Sequence, residues 1–357
     1  MDGFLNIHKA AGWTSHDVVA KVRNLLTARH LASPVTGRGV GASEERSPHG
    51  PPQMKPPKVG HAGTLDPQAT GVLPICLGKA TKLAEFLLHT DKQYRVVMKL
   101  GVATDTQDAH GQVLRRAETS GITPELVEKA LKSFVGRIQQ TPPMYSAIKV
   151  KGQPLYKMAR KGQVIDRLAR EVTIYTLDVL EMREDEVTFD VVCSRGTYIR
   201  TLCADVGEQL GVGAHCLRLE RRRCGPFRIE EAVTLEELEE ALVQDKHHRM
   251  VYSSAVVLGH LPKLVIRSER VERALHGAPL GQQDIQWPKA TFKKGDLFRV
   301  VMPDIGLVAL ARALMGSLDL HPDHTGDPLF KIEKVLVEPV RGVGASEELL
   351  HRTGPHL

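Results

Sequence analysis

Aromatic residues are scarce in this 357-residue chain, 4% in all, and long apolar runs are missing. The longest, Leu307 to Leu318, is broken by Arg312 and falls far short of the ~20 residues a membrane-spanning helix needs. The opening Met1-Asp2-Gly3-Phe4-Leu5-Asn6 has neither a basic n-region nor an apolar h-region, so no signal peptide is expected. Cysteine is sparse too. Cys76, Cys193, Cys203, Cys216 and Cys224 are odd in number and form no Cys-x-x-Cys pair, which points to reduced thiols in a cytoplasmic protein and away from a zinc site or a disulfide frame. What remains is an ordinary globular mixture, 42% hydrophobic and 25% charged. Such a chain can bury a sizeable core, and at ~150 residues per domain its length suits two domains or one with an appendage. Disordered, collagen-like and disulfide-miniprotein classes are excluded.

The net charge of +6 is modest, but it is unevenly spread. Between 141 and 170, Lys149, Lys151, Lys157, Arg160, Lys161, Arg167 and Arg170 face only Asp166. A second block, 215–228, holds Arg218, Arg221, Arg222, Arg223 and Arg228 against Glu220, and the stretch from Glu230 to Glu240 is acidic. Basic patches of this kind suit a polyanion such as nucleic acid, or form solvated faces.

Hydrophobic periodicity predicts a helix over 14–27, capped by Thr14 or Ser15, with Val18, Val22, Leu25 and Leu26 on one face. Between Ser33 and Pro57 six residues are Pro and four are Gly, with no apolar period, which reads as a flexible insertion. The octapeptide from Arg38 to Glu45 recurs from Arg341 to Glu348, and two copies cannot build a solenoid. A helix from Lys79 with Leu83, Phe86 and Leu87 inward precedes a strand with Tyr94, Val96, Met98 and Leu100 on one face. A helix begins at Pro124 and covers 124–135. Val187, Phe189, Val191 and Cys193 alternate as a strand that leads into a helix bearing Ile199, Leu202, Val206 and Leu210. After about residue 250, short β-like runs (Lys263 to Ile266, Leu297 to Met302, Leu307 to Ala311, Ile332 to Val337) suggest a small β-rich domain.

The densest motif is GHAGTLDPQATGVLP, residues 60–74. Pro67 disfavours the helical region for Asp66 and holds it extended, and three glycines permit sharp turns, so the loop can present one carboxylate rigidly. Alone, an Asp before Pro is a common turn former.

In combination with five other segments this motif resembles the TruB family of tRNA pseudouridine synthases. GFLNIHKAAGWTSHDVV (3–19) resembles the first motif, with Lys9-Ala10 where the family usually has Lys-Pro, a departure expected to loosen that turn. QYRVVMKLGVATDTQDAHG (93–111), PPMYSAIKVKGQPLYKMARKG (142–162), SRGTYIRTLCADVGEQLG (194–211) and GAHCLRLERRRCGPF (213–227) follow in the family's order. Glu220 stands where many relatives have Arg, which leaves one RNA or core contact in doubt.

The resemblance implies an α+β fold: a catalytic core over 1–250, with a mixed, largely antiparallel sheet flanked by helices, and a PUA-like RNA-binding domain over 255–340. The insertion at 33–57 and the tail at 341–357 are expected to be flexible and without a catalytic role. The implied reaction breaks N1–C1′ of a uridine, turns the uracil, joins C5 to C1′ and removes the C5 proton. Nothing is oxidised and no energy-rich group leaves, so neither a metal nor any other cofactor is expected.

By resemblance, Asp66 acts at the ribose as a nucleophile at C1′ or a base at C2′, and Arg200 grips it with a bidentate fork that keeps it ionised. Arg200 also lies off the Ile199/Leu202/Val206 stripe, in the first turn after Gly196. Tyr94 stacks on the flipped uracil and takes its C5 proton, while Tyr198 and Leu219 complete the pocket. His61 fills the gap in the RNA stack. Extruding a base costs a few kcal/mol, and stacking on an aromatic face returns about 1–3 kcal/mol. Lys149, Lys151, Lys157, Arg160 and Lys161 would hold RNA phosphates.

The partner implied is tRNA, through its T-arm, elbow and acceptor stem, with the target at position 55 in the TΨC loop. A monomer without an obligate protein partner or a membrane is expected. A guide-RNA-dependent relative and a non-catalytic tRNA-folding protein are the alternatives. The first is disfavoured by a first motif that begins at Gly3, the second by the retained Asp66, Tyr94 and Arg200. A paired-carboxylate glycosidase is disfavoured because no second acid accompanies Asp66 in its motif.

Overall fold

The computed structural model describes residues 1–32, 57–146, 148–150, 152–159, 161–163, 165–286, 291–303, 306–319 and 328–337. Nearly all of the insertion and the whole tail expected from the sequence lie outside them. The chain divides into two compact units, one of Leu5–Cys76 with Ala84–Met250, the other of Met1–Phe4, Leu77–Leu83 and Val251–Leu357.

The first unit is organised by a mixed sheet. In chain order its main elements are β1 (Gly3–Lys9), α1 (Ser15–Ala32), β2 (Val59–His61), β3 (Thr70–Leu77), β4 (Lys92–Leu100), α2 (Pro124–Lys132), β5 (Gly136–Gln140), β6 (Arg170–Arg183), β7 (Glu186–Cys193), α3 (Ile199–Gln209), β8 (Ala214–Cys224) and α4 (Leu235–Val243). The strands run β1-β3-β8-β4-β7-β6-β5, with β2 on β3. The β3–β8 ladder is parallel, and the four from β8 to β5 are antiparallel. Strict alternation fixes the register of the centre: Tyr94, Val96, Met98 and Leu100 of β4 are buried, as are Val187, Phe189, Val191 and Cys193 of β7.

The expected helices form, with shifted ends. Thr14, not Ser15, caps α1: its Oγ1 accepts from Asp17 N and its own amide donates to Asp17 Oδ2. Val18, Val22 and Leu26 are buried while Leu25 is only half-buried. The helix runs on to Ala32 because Arg29 anchors its last turns, donating to Leu242 O and pairing with Asp245. The helix expected from Lys79 instead begins as a 3-10 turn over Gly78–Leu83, tightened by Thr81 Oγ1 donating to Gly78 O, and only Ala84–Leu88 is α-helical. Leu83 and Leu87 point inward, whereas Phe86 is half-buried. Pro124 opens α2 behind a Thr123 cap, and the helix stops at Lys132. Leu210 lies just past α3 and is half-buried.

The second unit holds a five-stranded sheet of β9 (Lys263–Ile266), β10 (Ile285–Gln286), β11 (Leu297–Met302), β12 (Gly306–Ala313) and β13 (Phe330–Val335), in the order β10-β9-β11-β12-β13. Phe292, Phe298 and Phe330 meet at its centre with ring centroids 5.2–5.4 Å apart. Burying Phe330 there places the last strand two residues earlier than the expected start at Ile332. Among the described residues no helix is long and apolar enough to cross a membrane.

One glycine sets how closely a helix approaches the sheet. A Cβ on Gly207 of α3 would lie 2.1 Å from Ala214 N at the start of β8. Gly207→Ala is therefore expected to lower the urea midpoint by the equivalent of about 1–3 kcal/mol, the usual range for overpacking. An unchanged midpoint would show that helix and strand can separate freely.

Candidate active site

The loop between β2 and β3 is tied down on both sides of Asp66. Ala69 N donates to Asp66 O at 3.1 Å, closing a turn with Pro67 at its second position. Leu65 N donates to Ser15 Oγ, and Gly12 N to Pro67 O, both at 2.9 Å. Lys9, fully buried, donates from Nζ to Ala10 O, Trp13 O and Pro67 O at 2.8–2.9 Å. The Lys9-Ala10 departure therefore does not leave this turn loose: one ammonium gathers three carbonyls of the two motifs. Burial is the chief reason its pKa falls to about 8.

Arg200 is the hub. It sits in the first turn of α3 with its side chain only 6% exposed, against 41% for Asp66. Its Nη2 donates to Asp66 Oδ1 at 3.2 Å, and Nε lies 2.8 Å from Oδ2, an ion-pair distance with the N–H turned off the oxygen. Nη1 donates to Thr106 O at 3.0 Å and stands 3.5 Å from Asp108 Oδ2, while Nη2 also donates to Tyr145 O at 2.8 Å. One guanidinium thus joins three other motifs. Asp108, a second carboxylate at the same cation, was not singled out from the sequence, because it belongs to a different motif from Asp66. It is itself positioned by Thr106 Oγ1 and His110 N, which donate to its Oδ1.

Tyr94 is buried in β4 opposite Val191 of β7 and Arg221 of β8. Its phenol is pushed up to about 12, chiefly by burial, with the Arg221 guanidinium opposing. Leu219 lies across from Val96 and is half-buried on the same sheet face. Tyr198 is the N-cap residue of α3, its phenol raised mainly by burial and close enough to Asp66 and Arg200 to feel both charges. Buried Gln140 fixes it, accepting from Tyr198 N at 2.8 Å and donating to Tyr198 O at 3.0 Å. That clamp comes from β5, and no motif of the sequence announced it. His61 ends β2, its ring edge-on to that of His16 at 5.5 Å.

Residues 52–199 match the profile of the TruB family pseudouridylate synthase (N terminal domain), and residues 200–261 that of the tRNA pseudouridylate synthase B C-terminal domain. The chain belongs to the TruB family. The tRNA pseudouridine synthase B of Clostridium perfringens (strain SM101 / Type A) is 39% identical over 339 residues, 95% of this chain and 100% of that protein. Its counterpart in Alkaliphilus oremlandii (strain OhILAs) is 43% identical over 279 residues, 78% and 82% of the two chains. Among solved structures, a chain of a Cbf5-Nop10-Gar1 complex is 30% identical with a TM-score of 0.70, covering 94% of this chain and 85% of that one. A chain of an H/ACA RNP bound to a substrate RNA containing 2'-deoxyuridine is 29% identical with a TM-score of 0.68 and the same coverage.

In this TruB-family chain the two basic blocks fare differently. In the 215–228 block Arg228 is exposed, but the other arginines reach groups of the protein. Arg221 is 1% exposed, Arg218 pairs with Glu186 at 3.3 Å, and Arg222 reaches Glu220 and Glu230 at 3.0 Å each. Glu220 therefore stands as a partner for Arg222. In the 141–170 block, Lys157 and Lys161 are exposed, whereas Arg167 folds back to Pro142 O at 3.2 Å. Lys151 and Arg160 lie outside the described residues, and of Lys149 only the backbone, in a short strand Lys149–Val150, is described.

One cluster of metal-ligand type occurs among the described residues. Asp245, His247 and His248 each bring an atom within 4.8 Å of the others. Asp245 already carries the Arg29 guanidinium, a positive charge beside the position a divalent ion would need. The five described cysteines are all buried free thiols.

Burial, then His16 and Arg221, lower the His61 pKa from 6.5 to about 4. The folded state therefore prefers neutral His61, and its contribution to stability is complete above pH 6.5 and fades as pH falls toward 4. Between pH 7 and 4.5 the wild-type urea midpoint is expected to drop further than that of His61→Gln. Equal drops would show that His61 protonates as freely folded as unfolded.

Proposed function

We propose that this chain converts the uridine at position 55, in the TΨC loop of tRNA, to pseudouridine, with Asp66 acting at the ribose. Isomerisation of uridine in tRNA accords with family membership and with relatives named tRNA pseudouridine synthase B at 39–43% identity. The guide-RNA alternative is disfavoured, because the chains from H/ACA assemblies stand lower, at 29–30%. The observation that carries the catalytic reading is the asymmetry of the Asp66–Arg200 pair. The cation is buried and held by carbonyls, while the carboxylate it grips is 41% exposed and open to a ribose.

In this reading the target nucleotide swings out of its loop and the uracil lies against Tyr94 and Leu219, with Tyr198 at the helix cap. The N1–C1′ bond breaks with its electron pair leaving on uracil. Asp66 either bonds C1′ or removes the C2′ proton. The uracil turns and C5 bonds C1′ as the Asp66–C1′ bond breaks or as Asp66 returns its proton to C2′; the C5 proton then passes to Tyr94, and N1 takes a proton from water. Such a sequence draws on no redox partner and no bound nucleotide.

His61 takes the place of the extruded base in the RNA stack. Lys157 and Lys161, with Lys149, Lys151 and Arg160 of the same run, contact phosphates around the loop. The domain over 255–340 serves as a PUA-like module gripping the acceptor stem, and supporting this is its five-stranded β sheet. The catalytic domain spans 1–250, and the protein works as a cytoplasmic monomer.

Release of tritium from tRNA labelled at uridine C5 tests the assignment. Asp66→Asn is expected to lose at least about 10³-fold in turnover with tRNA affinity kept. Turnover within about tenfold of wild type would remove Asp66 from the chemistry. Arg200→Lys keeps the charge but loses the planar fork whose separate nitrogens meet the Asp66 carboxylate and the Thr106 and Tyr145 carbonyls, so severe loss of kcat with little change in tRNA Kd is expected. Equal loss of both would make Arg200 an RNA contact.

A further inference from the structure

Arg221 is the largest of the fully buried side chains. Its strand, β8, lies between β3 and β4, so its backbone pairs with Gly71 on one side and Tyr94 on the other. The approach to β3 is so close that a Cβ on Gly71, at φ +97°, would fall 2.3 Å from Arg221 O. The side chain turns toward the loop that carries Asp66. Nε donates to Val72 O at 2.7 Å, Nη2 to Gly63 O at 3.1 Å, and Nη1 reaches Thr64 O at 3.5 Å. Tyr94 lies directly across from Arg221 on the adjoining strand, and the guanidinium's charge is felt at its phenol.

Unlike Arg200, it has no carboxylate partner among the described residues, and Val72, Gly63 and Thr64 meet it with main-chain carbonyls. An unshared buried cation is costly, by several kcal/mol before hydrogen bonding offsets it. Its field extends to Lys9, His61 and Lys92, each of which it disfavours as a cation.

We propose that Arg221 is a positioning residue for both working groups: it clamps Gly63 and Thr64 just ahead of Asp66, and it holds the Tyr94 oxygen while stabilising negative charge on it. This rests on the reading of Tyr94 as the acceptor of the C5 proton. In that step the phenol has first given its proton to water. The C5–H bond then breaks toward the phenolate, and its electron pair closes C5=C6. The N1=C6 pair moves onto N1, which takes a proton from water. A positive charge beside the oxygen favours the phenolate, and its loss slows this step more than the earlier cleavage of N1–C1′.

The test is single-turnover isomerisation of tRNA carrying uridine or its C5-deuterated form, by wild type, Arg221→Gln, Arg221→Lys and Tyr94→Phe. Arg221→Gln is expected to keep tRNA Kd within about threefold, to lose at least about tenfold in rate, and to show a C5 deuterium isotope effect larger than wild type. If the glutamine variant does not fold by circular dichroism, Arg221→Lys decides. A lysine keeps the charge but cannot span three carbonyls and a phenol, so a loss of about tenfold with an enlarged isotope effect supports the proposal. A rate and isotope effect matching wild type in the folded variant overturn it. Full activity in Tyr94→Phe would instead sink the underlying reading of Tyr94, whereas an inactive Tyr94→Phe beside a wild-type-like Arg221 variant sinks only the role of Arg221.

Discussion

The guanidinium of Arg200 is the point on which the site depends. Removing such a cation from water is expensive, and it stays buried here because Asp66, Asp108 and the carbonyls of Thr106 and Tyr145 converge on it. Those groups come from three different turns of the chain, with Thr106 and Asp108 sharing one, so the cation joins segments far apart in sequence. The arrangement is also directional. Both terminal nitrogens donate to carbonyls inside the protein, and the same cation presents a carboxylate partly open to solvent.

A second layer of positive charge holds the backbone behind that carboxylate. Lys9 gathers three carbonyls around Pro67, and Arg221 gathers those of Gly63, Thr64 and Val72. Loops that turn sharply leave carbonyls unpaired, and buried carbonyls must find donors. Long basic side chains supply several donors each, which explains why charged residues occupy places that hydrophobic packing cannot satisfy. The rigidity of the Asp66 bend thus comes from cations beneath it as much as from Pro67.

Much of this could be read in the sequence. The alternation in β4 and β7, the capped helices and the β-rich end follow from periodicity, and the Asp66–Arg200 pair from the family resemblance. What escaped was long-range. Asp108 lies in a polar stretch that looks like any surface turn until Arg200 arrives from α3. Gln140 ends a short strand whose pattern reveals nothing of its hold on Tyr198. Arg221 is hidden differently. Three arginines stand in a row in β8, and bulges between Cys216 and Arg218 and between Arg221 and Arg223 break the two-residue period that would say which one turns inward. Local spacing fixes a face only where the ladder is regular, and here it is not. The acidic partners of Arg218 and Arg222 are equally scattered in sequence, so the block looked more basic than its surface is.

The measurement that reaches the central claim most directly is a crystal structure of this chain with a T-arm stem-loop carrying 5-fluorouridine at the target position. The expected result is a nucleotide rotated out of the loop, its C1′ or C2′ within about 3–3.5 Å of an Asp66 carboxylate oxygen, and Arg200 still gripping that carboxylate. A target base left stacked in its loop, or a ribose beyond the reach of Asp66 with the Arg200 pair intact, would contradict it.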